Sequence, residues 1–200
     1  MELRPHDLLQ INAADDVICH ASLPEWTEAS IQAAPFVVVR RARSGPGLVA
    51  VGIRGSKRSE RFAAFLPIDR IITKITPEQL AAKRNWRKYD KEIFYHLEEV
   101  ARIMDLYSLE WGIAGSIGFE LASGKETTTK TSDIDIVIRF HPHFKPEQAK
   151  EIKNKFKKMK TRVDVQIETV NGAFSLSEYA SCGESPILFR TMDGPVLKKV

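Results

Sequence analysis

Cysteine is scarce in this 200-residue chain: there are two, Cys19 and Cys182. Two distant thiols build neither a disulfide framework nor a cysteine-based metal site. Reduced thiols and a cytoplasmic location are therefore expected. Long hydrophobic runs are missing too, and none approaches the roughly 20 residues a membrane helix needs. The opening Met1-Glu2-Leu3-Arg4-Pro5-His6-Asp7 is polar, so no signal peptide is expected and no membrane partner. No internal repeat marks a solenoid.

What is present suits a globular protein. Hydrophobic residues make up 43% of the chain and charged residues 28%. That is enough for one substantial core or two small domains. The net charge of +4 favours anionic partners. It is too small to argue for nucleic acid, which is disfavoured as a partner.

The first third reads as strands. Pro35–Arg40 is a β-branched run, and Gly47–Gly55 is a second, joined through Ser44-Gly45-Pro46. Phe62–Ile75 holds a third, with room for a fourth. Thr76-Pro77-Glu78 then starts a helix, with Pro77 at the first helical position and Glu78 at the positive end of the dipole. Ile93, Leu97, Val100, Ala101 and Met104 follow at helical spacing. The change of period near Thr76 predicts a strand-rich domain over residues 1–76 and a second domain over 77–200.

The remainder alternates. Trp111–Ala114 is a short strand, and Ser116–Ser123 a helix stopped by Gly124. Asp133–Ile138 is a strand. Pro146–Lys160 is an amphipathic helix that buries Ala149, Ile152, Phe156 and Met159. Arg162–Thr169 is a strand with Val163, Val165 and Ile167 on one face and Asp164, Gln166 and Glu168 on the other.

The chemistry concentrates in Ser132-Asp133-Ile134-Asp135-Ile136. Alternate strand residues share a face, so Asp133 and Asp135 point the same way. Two adjacent carboxylates repel, and a divalent cation relieves the repulsion. Gly115-Ser116 lies upstream, where a strand gives way to a helix. Gly115 lets backbone approach a phosphate, and Ser116 adds a hydroxyl and a helix N-terminal N–H. Asp164 joins the pair if its strand is a neighbour in the same sheet. Three carboxylates of this kind suit paired Mg2+ ions, with Mn2+ as a substitute, for phosphoryl or nucleotidyl transfer. The competing structural reading of each piece is a solvated turn or strand residue. The ordered combination favours the metal site.

Two cationic segments flank this site in sequence. Gly52–Arg61 combines glycines with Arg54, Lys57, Arg58 and Arg61, a loop that can wrap a polyanion or simply turn. Lys145–Arg162 carries eight cations against two anions. Its stripe of Lys150, Lys153, Lys157 and Lys160 is either a solvated helix face or a docking surface for an acidic partner. Gly118–Lys125 lacks the spacing and the final Ser or Thr of a phosphate loop. His141-Pro142-His143 has no third ligand nearby and reads as a surface turn.

Gly-Ser, then Asp-x-Asp, then a lone carboxylate on a later strand resembles the nucleotidyltransferase superfamily that includes DNA polymerase β. The interval between Gly115-Ser116 and Asp133 is longer than that pattern's. A narrower resemblance rests on Arg4-Pro5-His6-Asp7-Leu8-Leu9, Gly52–Arg61, Thr76-Pro77-Glu78 and Ile187-Leu188-Phe189-Arg190-Thr191. These are similar to the malonate decarboxylase holo-acyl-carrier-protein synthases, or phosphoribosyl-dephospho-CoA transferases.

The resemblance implies an α+β fold: a strand-rich N-terminal α/β domain that binds donor or carrier, then a polymerase β-type domain with a mixed sheet flanked by helices. It implies transfer of 2′-(5″-phosphoribosyl)-3′-dephospho-CoA from its 5″-triphosphate (triphosphoribosyl-dephospho-CoA) to a serine of the apo acyl carrier protein subunit of malonate decarboxylase. Pyrophosphate leaves. Asp133 and Asp135 would bind metal and donor phosphates, Asp164 metal and the acceptor proton, and Gly115 and Ser116 the departing pyrophosphate. Arg54, Arg58 and Arg61 would bind further phosphates, and Lys150, Lys153, Lys157 and Lys160 the carrier. The alternatives are another Mg-dependent nucleotidyltransferase, adenylylating a protein or small-molecule hydroxyl, and a non-catalytic basic binding module.

Overall fold

The computed structural model describes residues 2–199. They form two compact units: the residues up to Thr76 together with Phe119–Thr127, and Pro77–Gly118 together with the residues from Thr128 onward. Helices and two separate sheets make an α+β fold, as the sequence implies.

The first unit holds β1 (Leu8–Gln10), α1 (Trp26–Ala33), β2 (Phe36–Val39), β3 (Leu48–Arg54), β4 (Arg61–Pro67) and β5 (Thr73–Ile75). Its sheet runs β4-β3-β2-β1-β5, with every pair antiparallel. Val37, Val51 and Leu66 are buried from three of these strands, with Leu9 from β1 and Ile31 from α1. The strand expectations for Pro35–Arg40 and Gly47–Gly55 match β2 and β3. β1 and α1 were not expected. β1 is only three residues long, too short to display alternation, yet it pairs on both sides.

The second unit begins with α2 (Pro77–Lys83), α3 (Glu92–Met104) and β6 (Trp111–Ile113), which leads into α4 (Gly115–Ser123). Then come β7 (Ile134–Arg139), α5 (Pro146–Phe156), β8 (Val163–Thr169), β9 (Gly172–Ser175), α6 (Leu176–Tyr179), β10 (Ile187–Thr191) and β11 (Gly194–Lys198). α4 straddles the division, its second half clustering with the first unit.

The second sheet runs β11-β10-β9-β8-β7-β6. Among the described residues only β7 and β8 are parallel, and α5 supplies the crossover that a parallel pair requires. Ile134, Ile136, Val137 and Ile138 of β7 are all buried, as is typical of a strand covered on both faces. α3 packs on α5 and buries Phe94, Leu97, Val100, Ala101 and Met104. Phe94 takes the place expected of Ile93, which is half-buried.

Two of the boundaries that differ from expectation bear on the site. β7 starts at Ile134, leaving Asp133 in the approach to the strand. α5 stops at Phe156 rather than Lys160, because Lys157–Thr161 must turn the chain back to enter β8. The C-terminal β9, α6, β10 and β11 had no periodicity long enough to be read.

Candidate active site

Three neighbouring strands of the second sheet position the acidic residues. β6 ends at Ile113, and the backbone turns sharply at Gly115, whose φ is +62°. That left-handed conformation suits glycine. Space also demands it. A Cβ at Gly115 would lie 1.9 Å from Asp135 Oδ2. The Asp135 carboxylate is therefore tucked over a bare stretch of backbone, while the Ala114 N–H donates to Asp135 O at 2.9 Å. Ser116 is half-buried in the first turn of α4.

Asp135 and Asp164 are directly paired across the parallel β7–β8 ladder. Partners in register present their side chains on the same face, with backbones about 4.8 Å apart. The expected neighbour relation between these strands is thus what the sheet contains. The Ile134 N–H also donates to Arg162 O, which places the Asp133–Ile134 and Arg162–Val163 strand entries side by side.

Arg162 is the residue that sequence reasoning counted only as one cation in a run. Its Nη2 donates to Asp164 Oδ1 at 2.9 Å and its Nε to the same oxygen at 3.1 Å. The guanidinium is held above its usual pKa first by this bond. The charges of Asp164, Asp133 and Asp135 add to it. Arg162 thus senses all three carboxylates. The signal available in the sequence was its spacing, two residues before Asp164 on one strand face.

Among the described residues, no three His, Cys, Asp or Glu side chains are gathered into a ready-made cation cage. Asp164, 46% exposed, is turned to Arg162. The donor set nevertheless suits Mg2+ chemically: it offers hard carboxylate oxygens, one of them over a glycine backbone, and already draws a cation.

Further along the same face, Gln166 donates to Glu168 Oε1 at 3.1 Å and accepts from Arg190 at 3.4 Å. Glu168 is buried. Elsewhere in the unit, the Arg139 Nε on β7 donates to Glu78 Oε1 at 2.7 Å, tying the strand to α2.

The expected phosphate-binding arginines belong to the other unit. Arg54 and Arg61 are paired across the β3–β4 ladder, and Arg58 lies in the hairpin turn. The Arg54 guanidinium stands 5.6 Å from the centroid of the Phe119 ring. The Arg61 Nη1 donates to the carbonyls of Lys57 and Glu60. Its pKa is lowered by partial desolvation and by repulsion from Arg58.

The lysine stripe is not uniform. Lys150, Lys157 and Lys160 are exposed. Lys153 is half-buried, its Nζ donating to Ser177 O and Ser181 Oγ at 3.0 and 2.7 Å. His141 and His143 are exposed, their rings 4.9 Å apart.

Comparison with known proteins bears on the whole chain. Residues 4–77 match the family model of the phosphoribosyl-dephospho-CoA transferase MdcG N-terminal domain, and residues 79–200 that of the MdcG C-terminal domain. A Pseudomonas fluorescens phosphoribosyl-dephospho-CoA transferase is 38% identical over 80% of this chain and 77% of its own. The Pseudomonas aeruginosa enzyme is 33% identical over 96% and 90%, and that of Pseudomonas syringae pv. tomato 35% over 95% and 89%. No solved structure matches significantly. With both halves matched in order and relatives aligned almost end to end, the chain belongs to the phosphoribosyl-dephospho-CoA transferase family and is a transferase.

Proposed function

We propose that this transferase moves the phosphoribosyl-dephospho-CoA group from its 5″-triphosphate to a serine of the apo acyl carrier protein subunit of malonate decarboxylase, releasing pyrophosphate. The observation that carries the chemistry is the pairing of Asp135 with Asp164 across β7–β8, beside the Gly115 backbone. The nature of donor and carrier rests on the family.

In this reading the serine Oγ forms a new bond to the phosphorus nearest the ribose, and the bond from that phosphorus to the departing pyrophosphate breaks. The serine proton passes to Asp164, which must first leave Arg162. Asp133 and Asp135, with Asp164, would hold Mg2+, or Mn2+ in its place; the ion supplies charge neutralisation for the triphosphate. The backbone N–H of Gly115 and the Ser116 hydroxyl hold the pyrophosphate. In the first unit, taken by itself, the cations Arg54, Arg58 and Arg61 suit a polyanionic group such as the donor's phosphates. The cationic face of α5, led by exposed Lys150, receives the acidic carrier. Among the described residues no helix is long and apolar enough to cross a membrane. A cytoplasmic setting goes with this reading, in keeping with the two reduced thiols expected of the chain.

The test is transfer itself. The purified protein, triphosphate donor, Mg2+ and apo carrier should give a carrier heavier by one phosphoribosyl-dephospho-CoA unit. Labelling from ATP alone would reassign the donor.

A further inference from the structure

A groove of about 500 Å³ opens beside Arg162 and Asp164, within the second unit. Its wall is the end of α5 and the turn after it, including Lys157, Met159 and Lys160. Its floor is the start of β8, where Val163 and Val165 are half-buried. Arg162 and Asp164 line the same groove. It therefore runs up to the residue that takes the acceptor proton in the reading above.

Cations, hydroxyl side chains, the Asp164 carboxylate and apolar side chains all line it. Lys157 and Lys160, exposed cations with long stems, line the groove. Lys153, by contrast, is occupied by Ser177 and Ser181. Beside the cations the groove is lined by the apolar Met159, and by Val163 and Val165 of β8. A protein surface meets its partner over a broad, flat patch, whereas a concave volume of this size fits a small-molecule arm. Paired cations with an adjacent apolar strip match one ligand chemistry: a diphosphate carrying a slender, largely uncharged chain. The dephospho-CoA part of the transferred group has that chemistry, in its diphosphate and pantetheine arm.

We propose that this groove binds the diphosphate–pantetheine arm of the donor, with Lys157 and Lys160 on the diphosphate and Met159, Val163 and Val165 along the pantetheine. This rests on the transferase reading and divides the lysine stripe. Lys157 and Lys160 serve the donor, and Lys150, outside the groove, serves the carrier.

The experiment uses the full chain and dephospho-CoA, which lacks the transferable triphosphate, so binding is read without chemistry. Calorimetry should show Lys157→Gln/Lys160→Gln weakening dephospho-CoA at least ~10-fold, as expected for losing charge-assisted bonds. Adenosine, which lacks both the diphosphate and the pantetheine, should show no such change. Lys150→Glu should leave dephospho-CoA binding intact and raise the carrier KM. In transfer assays the double variant should raise the donor KM and leave the carrier KM unchanged. Unchanged dephospho-CoA binding in the double variant, no binding by the wild type, or an effect confined to carrier KM would overturn the proposal. If the wild type transfers nothing to carrier, the transferase reading fails instead.

Discussion

A Cβ on Gly115 would stand 1.9 Å from Asp135 Oδ2. No side chain fits there without moving the carboxylate. The φ of +62° adds a cost of about 1–2 kcal/mol for any residue but glycine. Gly115→Ala should therefore lower the melting temperature and cut transfer by about 100-fold or more, since displacement of a reacting group by an ångström is that costly. Thermal unfolding and carrier labelling measure the two effects. Wild-type turnover in the alanine variant would separate Gly115 from the site.

Asp164→Asn tests the third carboxylate. Transfer should fall by about 100-fold or more, in the range seen when a positioned catalytic group is lost. The fold should persist, because the lost ion pair with Arg162 is exposed and screened by solvent. Exposed Glu184 supplies the comparison through Glu184→Gln. Glu168 is unsuitable for that purpose, being buried against Gln166. Equal turnover in the Asp164 and Glu184 variants would remove Asp164 from the chemistry.

Glu78→Ala should destabilise the second unit without touching the acidic cluster. Arg139 is 12% exposed, and its Nη2 is buried without a hydrogen-bond partner. Removing Glu78 strands a nearly buried guanidinium, at a cost of about 3 kcal/mol. Denaturant unfolding measures it. Replacing both residues by apolar ones should restore much of the loss, because the uncompensated charge is then gone.

Glu98 gives stability a pH dependence. Hydrogen bonds from Arg87 hold its carboxyl down to about 2, against partial burial, and the Trp86 indole N–H helps. A folded-state value below the unfolded one stabilises fully above pH 4.5 and is lost as pH falls towards 2. Arg87 is half exposed, so solvent screens the pair and the effect should be about 1–2 kcal/mol. Unfolding of wild type and Glu98→Gln should differ by that amount at pH 7 and converge as pH falls through about 2. A constant difference would contradict it.

The parts legible in the sequence are those where period and chemistry coincide. The β-branched runs at Val37, Val51 and Ile136 announced strands, and Leu97, Val100 and Met104 announced α3. Asp135 and Asp164 were readable because each stands inside an apolar strand, where a carboxylate needs a reason. Arg162 was not, since a cation in a lysine-rich run looks solvated until strand register places it against Asp164. β1 and the C-terminal strands were illegible because three to five residues are too few for a period. The clustering of Phe119–Thr127 with the first unit depends on tertiary packing, which no local pattern encodes. Asp133 fell one residue outside its strand, within the usual uncertainty of an element's end.

The most direct measurement is the intact mass of apo carrier after incubation with triphosphate donor, Mg2+ and either wild-type protein or Asp135→Asn. The wild type should add one phosphoribosyl-dephospho-CoA unit, and the variant, folded as judged by its melting temperature, should add almost none in the same time. Carrier labelled at the wild-type rate by Asp135→Asn would contradict the assignment of the chemistry to the β7–β8 carboxylates.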